Sequence, residues 1–230
     1  MTPRRHRARV WGLSVLLACA AAALLAQGAP DDYLNWSASQ AESIGKEMYV
    51  KGRVGGIWDT RLLKTERSYN YKLAATWLTP QVIRAAARLE QLRQRLSVDQ
   101  TRALVAAAEA AGDTVIMVEI DPREGSGVIP SDWVAFLQPA GTTDAARTVS
   151  GVNSPRLRDV AALAGVLRRN YDYDRFWVIF PLKTSSGQPL FSASDREAEL
   201  IVRIYDKEGR VHWPILDSIR QRLAARASAK

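Results

Sequence analysis

Histidine is nearly absent from this chain of 230 residues, which holds two histidines and one cysteine. His6 lies among the arginines at the start of the chain, which leaves His212 as the one imidazole of the remainder. A zinc centre built from His and Cys needs more such ligands than that. A serine–histidine pair would have to use His212, which falls in an expected strand beside Trp213. Gly125-Ser126-Gly127 lacks the G-x-S-x-G spacing of a nucleophile elbow. The same glycines fail as a dinucleotide loop, because the third position is Pro130 and no helix follows. Carboxylates are the catalytic groups present in quantity. Asp121, Glu124 and Asp132 gather around one loop, where two of them within roughly 5–10 Å could share general acid and base roles. The ordinary account is that loops are acidic because they are solvated.

Asn170-Tyr171-Asp172-Tyr173-Asp174 places oxygen ligands at alternate positions, as a calcium loop does. An EF-hand loop requires Gly sixth and Glu twelfth, and those positions hold Arg175 and Pro181. A different calcium site on Asp172 and Asp174 is the remaining metal option, against a plain polar turn. No cofactor is expected. On the surface, Arg84, Arg88 and Arg95 recur at helical steps and could touch anionic headgroups or an acidic partner; a solvated face is the simpler account. Among the seven Trp, Trp77, Trp133, Trp177 and Trp213 fall in expected strands, so packing competes with a sugar-stacking role.

The composition supplies an address. Arg4, Arg5, Arg7 and Arg9 precede an uncharged run rich in Leu and Ala from Val10 to Ala26. A basic start followed by an apolar stretch is what the secretion machinery reads, and the run is just long enough to serve instead as a membrane anchor. Residues 1–26 are therefore expected to be a signal peptide cut after Ala26 or a retained anchor. Leu16-Leu17-Ala18-Cys19 also resembles a lipoprotein cleavage box, though a cut there would leave an apolar tail on the mature chain. Thirty-two basic residues face 24 acidic ones, with four of the arginines before residue 27. The remainder is only mildly basic, which does not point to nucleic acid. The one cysteine, Cys19, lies within the apolar run, so the exported part has none and no disulfide-linked partner is expected.

The elements that must position these groups follow from periodicity. Residues 27–36 read as a tether, and 37–230 as a single exported domain. Ser37-Ala38-Ser39-Gln40 is a capping box opening a short helix. Residues 67–78 alternate as a half-buried strand. Thr79-Pro80 and Ser97 to Gln100 open two helices that make an αα-hairpin at 80–111, with Val98 on a buried face and Gly112 at its end. Strands are expected at 114–120, 133–137 and 176–180. A helix is expected after Ser154-Pro155, with Leu157, Val160, Ala161, Ala164 and Leu167 on one face. A hairpin turns at Asp206–Gly209, and a short Arg-rich helix closes the chain. This order suits an α+β fold, mainly an antiparallel sheet or β-sandwich with an inserted αα-hairpin, an immunoglobulin-like sandwich being one form of it. The functional expectation is an exported, bacterial cell-envelope protein, periplasmic or anchored by residues 10–26. It would act as a non-enzymatic interaction or scaffold domain on an envelope protein or an anionic membrane surface. A carboxylate-dependent hydrolase or a glycan-binding module is the alternative.

Overall fold

Two antiparallel four-stranded sheets and four α-helices make up the described part of the protein, an α+β fold. The structure is a computed structural model, and it describes residues 31–53, 71–122, 129, 131–167, 174–205 and 207–228. Residues 1–26 with Cys19, Glu124 and Asp172 lie outside that set. Among the described residues no helix is long and apolar enough to cross a membrane. Asp32–Asn35 form a 3-10 turn, and residues from Trp36 onward form a unit of their own.

The helix starts follow their caps. Helix α1 spans Ala38–Lys51, with Ser37 Oγ accepting from the Gln40 amide at 3.2 Å and Gln40 Oε1 accepting from the Ser37 amide at 2.8 Å. After strand β1 (Tyr71–Trp77), helix α2 (Pro80–Gln94) begins with Thr79 as cap and Pro80 in its first turn, where the missing N–H is no loss. Helix α3 (Val98–Glu109) repeats the capping box with Ser97 and Gln100. Short 3-10 turns aside, the other described elements are strands, β2 (Thr114–Pro122), β3 (Val134–Pro139), β4 (Val149–Ser150), β5 (Val152–Asn153), β6 (Asp174–Phe180), β7 (Glu197–Ile204) and β8 (Lys207–Pro214), before helix α4 (Asp217–Ser228).

One sheet has the order β1-β2-β6-β5 and the other β4-β3-β7-β8. A single residue, Gly151, separates β4 from β5, so one short stretch of chain edges both sheets. The Gly151 amide donates to Ala135 O at 2.8 Å. A Cβ at Gly151 would lie 2.3 Å from Val178 Cγ1 and 2.6 Å from the Phe180 ring, so the chain can turn this corner over β6 only where there is no side chain. Inner-face side chains from the two sheets meet in the core. Trp77 and Trp213 are fully buried with ring centroids 5.8 Å apart, and Phe191 closes on the other side of Trp77 at 6.3 Å. The Trp77 indole donates to Thr114 Oγ1 at 2.7 Å.

The other face of the first sheet lies beneath helices. Buried Trp177 donates its indole N–H to Leu163 O at 2.8 Å, and Met117 meets Gly165. Strand β2 is thus buried on both sides, which explains its nearly unbroken apolar run. The outer face of the second sheet carries exposed Arg203, Arg210 and His212.

Several sequence expectations change. Residues 155–167 form two 3-10 turns, Pro155–Asp159 and Ala161–Leu163, in place of one helix. The Leu163 carbonyl is taken by the Trp177 indole, and Gly165 turns the chain with φ +74°. The β7–β8 pairing runs up to Ile204 opposite Lys207, with Tyr205 at φ 52°, so Lys207 to Gly209 belong to β8 and not to the expected turn. Gly209 belongs to β8, where a Cβ would come 2.5 Å from Leu73 Cδ2; packing across the core, not turn geometry, requires it. Val98 is exposed, and α3 ends at Glu109 with Ala110 as its cap. Gly112 instead makes room for Ile179.

One carboxylate organises the chain before β7, and Arg220 of α4 ties to the same stretch through its carbonyls. Asp195 Oδ2 accepts from Ser192 Oγ at 2.7 Å and Ser192 N at 2.6 Å and pairs with Arg147, while Arg220 donates to the Asp195 and Ser192 carbonyls. Burial alone would raise this carboxyl, but the Ser192 hydrogen bonds and Arg147 outweigh it and hold it below the usual range. A lowered carboxyl contributes stability above its unfolded pKa, and that stability is lost as pH falls through the folded value. Asp195→Asn should cost about 1–2 kcal/mol at pH 7 and flatten the acid limb of the stability curve. Urea titrations of both proteins from pH 7 to pH 3 check it, and parallel curves would contradict the tie.

Candidate functional site

A groove of about 920 Å³ runs between α1, α2 and residues 161–167, with Arg175 of β6 reaching it from the sheet. Helix periodicity sets its walls. Ala38, Glu42 and Lys46 follow one another at four-residue steps on α1, and Ala86, Leu89, Glu90 and Arg93 occupy one side of α2. The third wall is Ala161, Ala164 and Val166. Gly45 allows this wall to close against α1, since a Cβ there would lie 2.2 Å from Val166 Cβ.

Two buried acids anchor the charges of the groove. Glu90 is buried, accepts from Gln94 and pairs with Arg93. Glu119 has a side chain only 3% exposed, and its Oε1 accepts from Arg175 Nε at 3.1 Å. Glu119 and Arg175 sit opposite each other in the β2–β6 register. Burial raises the Glu119 carboxyl above its ordinary value, and the charge and hydrogen bond of Arg175 offset only part of the rise. Arg175 thus comes to the groove with its Nε fixed from behind. Among the described residues the lining contains no Ser, Thr, Cys, Tyr or His, and the groove offers an apolar floor with the charged side chains Glu42, Lys46, Glu90, Arg93 and Arg175.

A second polar cluster covers the outer face of the other sheet. Thr148 Oγ1 donates to Gln138 Oε1, and Gln138 Nε2 to Glu199 Oε2, both at 2.8 Å. Glu199 Oε1 then accepts from Arg210 Nη1 at 2.8 Å and lies 3.5 Å from His212 Nε2. The hydrogen bond from Arg203 holds Glu208 below the usual carboxylate range, against opposing burial and with help from Arg210. These are neighbours across paired strands with charges in balance, the usual way sheets pair polar residues.

The residues singled out from sequence are dispersed. Asp121 is in the last part of β2, opposite Lys72 in the β1 register, while Asp132 is exposed in the turn before β3 of the other sheet. His212 is on edge strand β8 beside Glu199. Asp174 opens β6 and is exposed. Among the described residues, no three of His, Cys, Asp and Glu come together to hold a metal ion. Of the arginines on α2, Arg88 is used internally, with Nε donating to Trp36 O at 2.8 Å and Nη1 to Gln91 Oε1 at 2.6 Å. Arg84 approaches Glu109 at 4.0 Å and has a buried Nε without a hydrogen-bond partner among the described residues. Arg95 is exposed just past α2, with φ 57°. Trp77, Trp177 and Trp213 are buried, while Trp133 is half-buried and meets Phe176 edge-on at 4.9 Å.

Sequence reasoning missed Glu119, Arg175, Glu90 and Glu199. A signal for the first was present: Glu119 is the one charged residue in the run from Thr114 to Ile120. Comparison with protein-family models, with curated proteins and with solved structures finds no match to the chain.

Proposed function

We propose that this is an exported protein of the bacterial cell envelope whose folded part is a non-enzymatic interaction domain, and that the groove between α1, α2 and residues 161–167 receives a segment of a protein partner. The observation that carries the reading is the lining itself. An apolar floor edged by Glu42, Lys46 and Arg93, with Arg175 held from behind by Glu119, suits a peptide segment that buries aliphatic side chains and satisfies its charges at the rim. The basic and apolar stretch at residues 4–26 supports the export half of the proposal. With it goes a sandwich reading of the two sheets, of which an immunoglobulin-like connection is one version; the meeting of Trp77 and Trp213 supports the two-layer part.

Ala164 lines the groove and is exposed, so a large side chain there fills the groove without entering the core. In the source cell, Ala164→Trp should reproduce the phenotype of deleting the gene while the protein accumulates normally. Joint replacement Asp121→Asn, Glu124→Gln and Asp132→Asn should leave that phenotype unchanged. A silent Ala164→Trp would sink the groove reading, and a damaging carboxylate triple variant with an intact fold would favour the hydrolase.

A further inference from the structure

The turn between α2 and α3 is the part of the αα-hairpin that nothing covers. From Leu92 to Gln100 every residue is exposed apart from half-buried Leu96. Leu92 and Val98 are each 43% exposed, two large aliphatic side chains on one short turn. The other large apolar residues left exposed among the described ones, such as Val50, Val134 and Val152, stand singly, which is ordinary for a protein surface. The turn is also basic. Arg93, Arg95 and Arg102 lie within residues 92–102 against a single acid, Asp99, which pairs with Arg102. Arg95 occupies the left-handed region at φ 57°, where its backbone amide closes α2 on Gln91 O. Its exposed side chain has no ion-pair partner among the described residues.

We infer that this turn is a contact surface for anionic lipid: Val98, with Leu92 at the end of α2, enters the boundary between headgroups and acyl chains, and Arg95 meets the phosphates. Aliphatic tips flanked by cations are what binding at that boundary requires, because apolar insertion and attraction to anionic headgroups add. Leu92 stands where this turn meets the groove, whereas Val98 and Arg95 lie outside the groove lining, so those two positions are the ones the test reads.

The test uses the full chain in a Cys19→Ser background, with one new cysteine carrying an environment-sensitive fluorophore. In one protein the label replaces Val98. In the other it replaces Ser185, in the exposed loop after Leu182. Leu182 is held by Asp113 at the opposite end of α3, and α3, of 12 residues, is about 18 Å long. Vesicles of phosphatidylcholine alone are compared with phosphatidylcholine and phosphatidylglycerol at two to one. This internal comparison separates the turn from residues 1–26, which both proteins share. The expected result is a blue shift at position 98 with the anionic vesicles and no shift at position 185. Adding Arg95→Glu should weaken the lipid dependence of that shift roughly tenfold, while circular dichroism stays unchanged. No shift at position 98, even as the chain sediments with the vesicles, overturns the inference. An equal shift with both lipids overturns the anionic assignment.

Discussion

Gly52→Ala should be among the most destabilising single changes in this protein. Gly52 is where α1 ends and where it is fastened to the first sheet. Its amide donates back to Met48 O and Tyr49 O at 3.2 and 3.1 Å, and its carbonyl accepts from Ala75 N at 2.8 Å. A Cβ built on it falls 1.6 Å from Ala75 O, with the Trp213 ring at 3.2 Å on another side. The obstacle is a backbone carbonyl in the middle of β1, not the end of a flexible side chain, so relief requires moving the helix end off the strand. That movement gives up the Gly52–Ala75 hydrogen bond and loosens the wall around Trp77 and Trp213. The cost should exceed about 4 kcal/mol, which places the change among the exceptional ones and is a large share of a stability of roughly 5–15 kcal/mol. Soluble yield and a guanidinium titration followed by Trp fluorescence measure it. A midpoint equal to that of the parent would mean that Gly52 and Ala75 do not approach in this way.

Arg175→Ala should lower stability by about 3 kcal/mol at pH 7, because it removes the counterion of a carboxylate that has no other way out of the protein. Glu119 already has a raised pKa in the fold, with burial as the cause and Arg175 as the opposing influence. For a raised carboxyl the folded state holds its proton more tightly than the unfolded chain. Stability therefore falls as pH climbs from the unfolded value of about 4.5 toward the folded one. Without Arg175 the rise is steeper and the falling stretch reaches further toward neutrality. The variant should thus recover part of its loss between pH 7 and pH 5, the reverse of ordinary acid denaturation. Glu119→Gln in the same background should remove that slope, since a neutral amide has nothing to titrate. Urea midpoints at half-unit steps decide the matter. A loss independent of pH would assign Arg175 a packing role alone.

What was legible in the sequence is what is decided locally. Ser37 with Gln40, Ser97 with Gln100, and Thr79 with Pro80 act within one helical turn, and each starts its helix where the spacing says. The antiparallel pairing of β7 and β8 was readable for the same reason, though its turn was displaced by the packing of Gly209 on Leu73. Residues 155–167 have helical spacing but no helix, because a distant indole claims the Leu163 carbonyl. No pattern within that segment announces a partner on another strand. The groove escaped for a related reason: its walls come from α1, α2, the 161–167 stretch and β6, and only tertiary packing brings them together. Glu119 was hidden by its neighbours, since one acid barely alters the apolar character of β2. The loop carboxylates drew notice as a sequence cluster, yet Asp121 lies in β2 and Asp132 in the turn before β3 of the other sheet.

Trp77 is in the first strand and Trp213 in the last, and neither has its full set of neighbours until both are present. Contacts so far apart along the chain slow folding, because a large loop must be closed before they can form. A ribosome that still holds β8 therefore keeps this contact from forming. The packing of β1 against β8 is thus among the last to be completed as the chain is made.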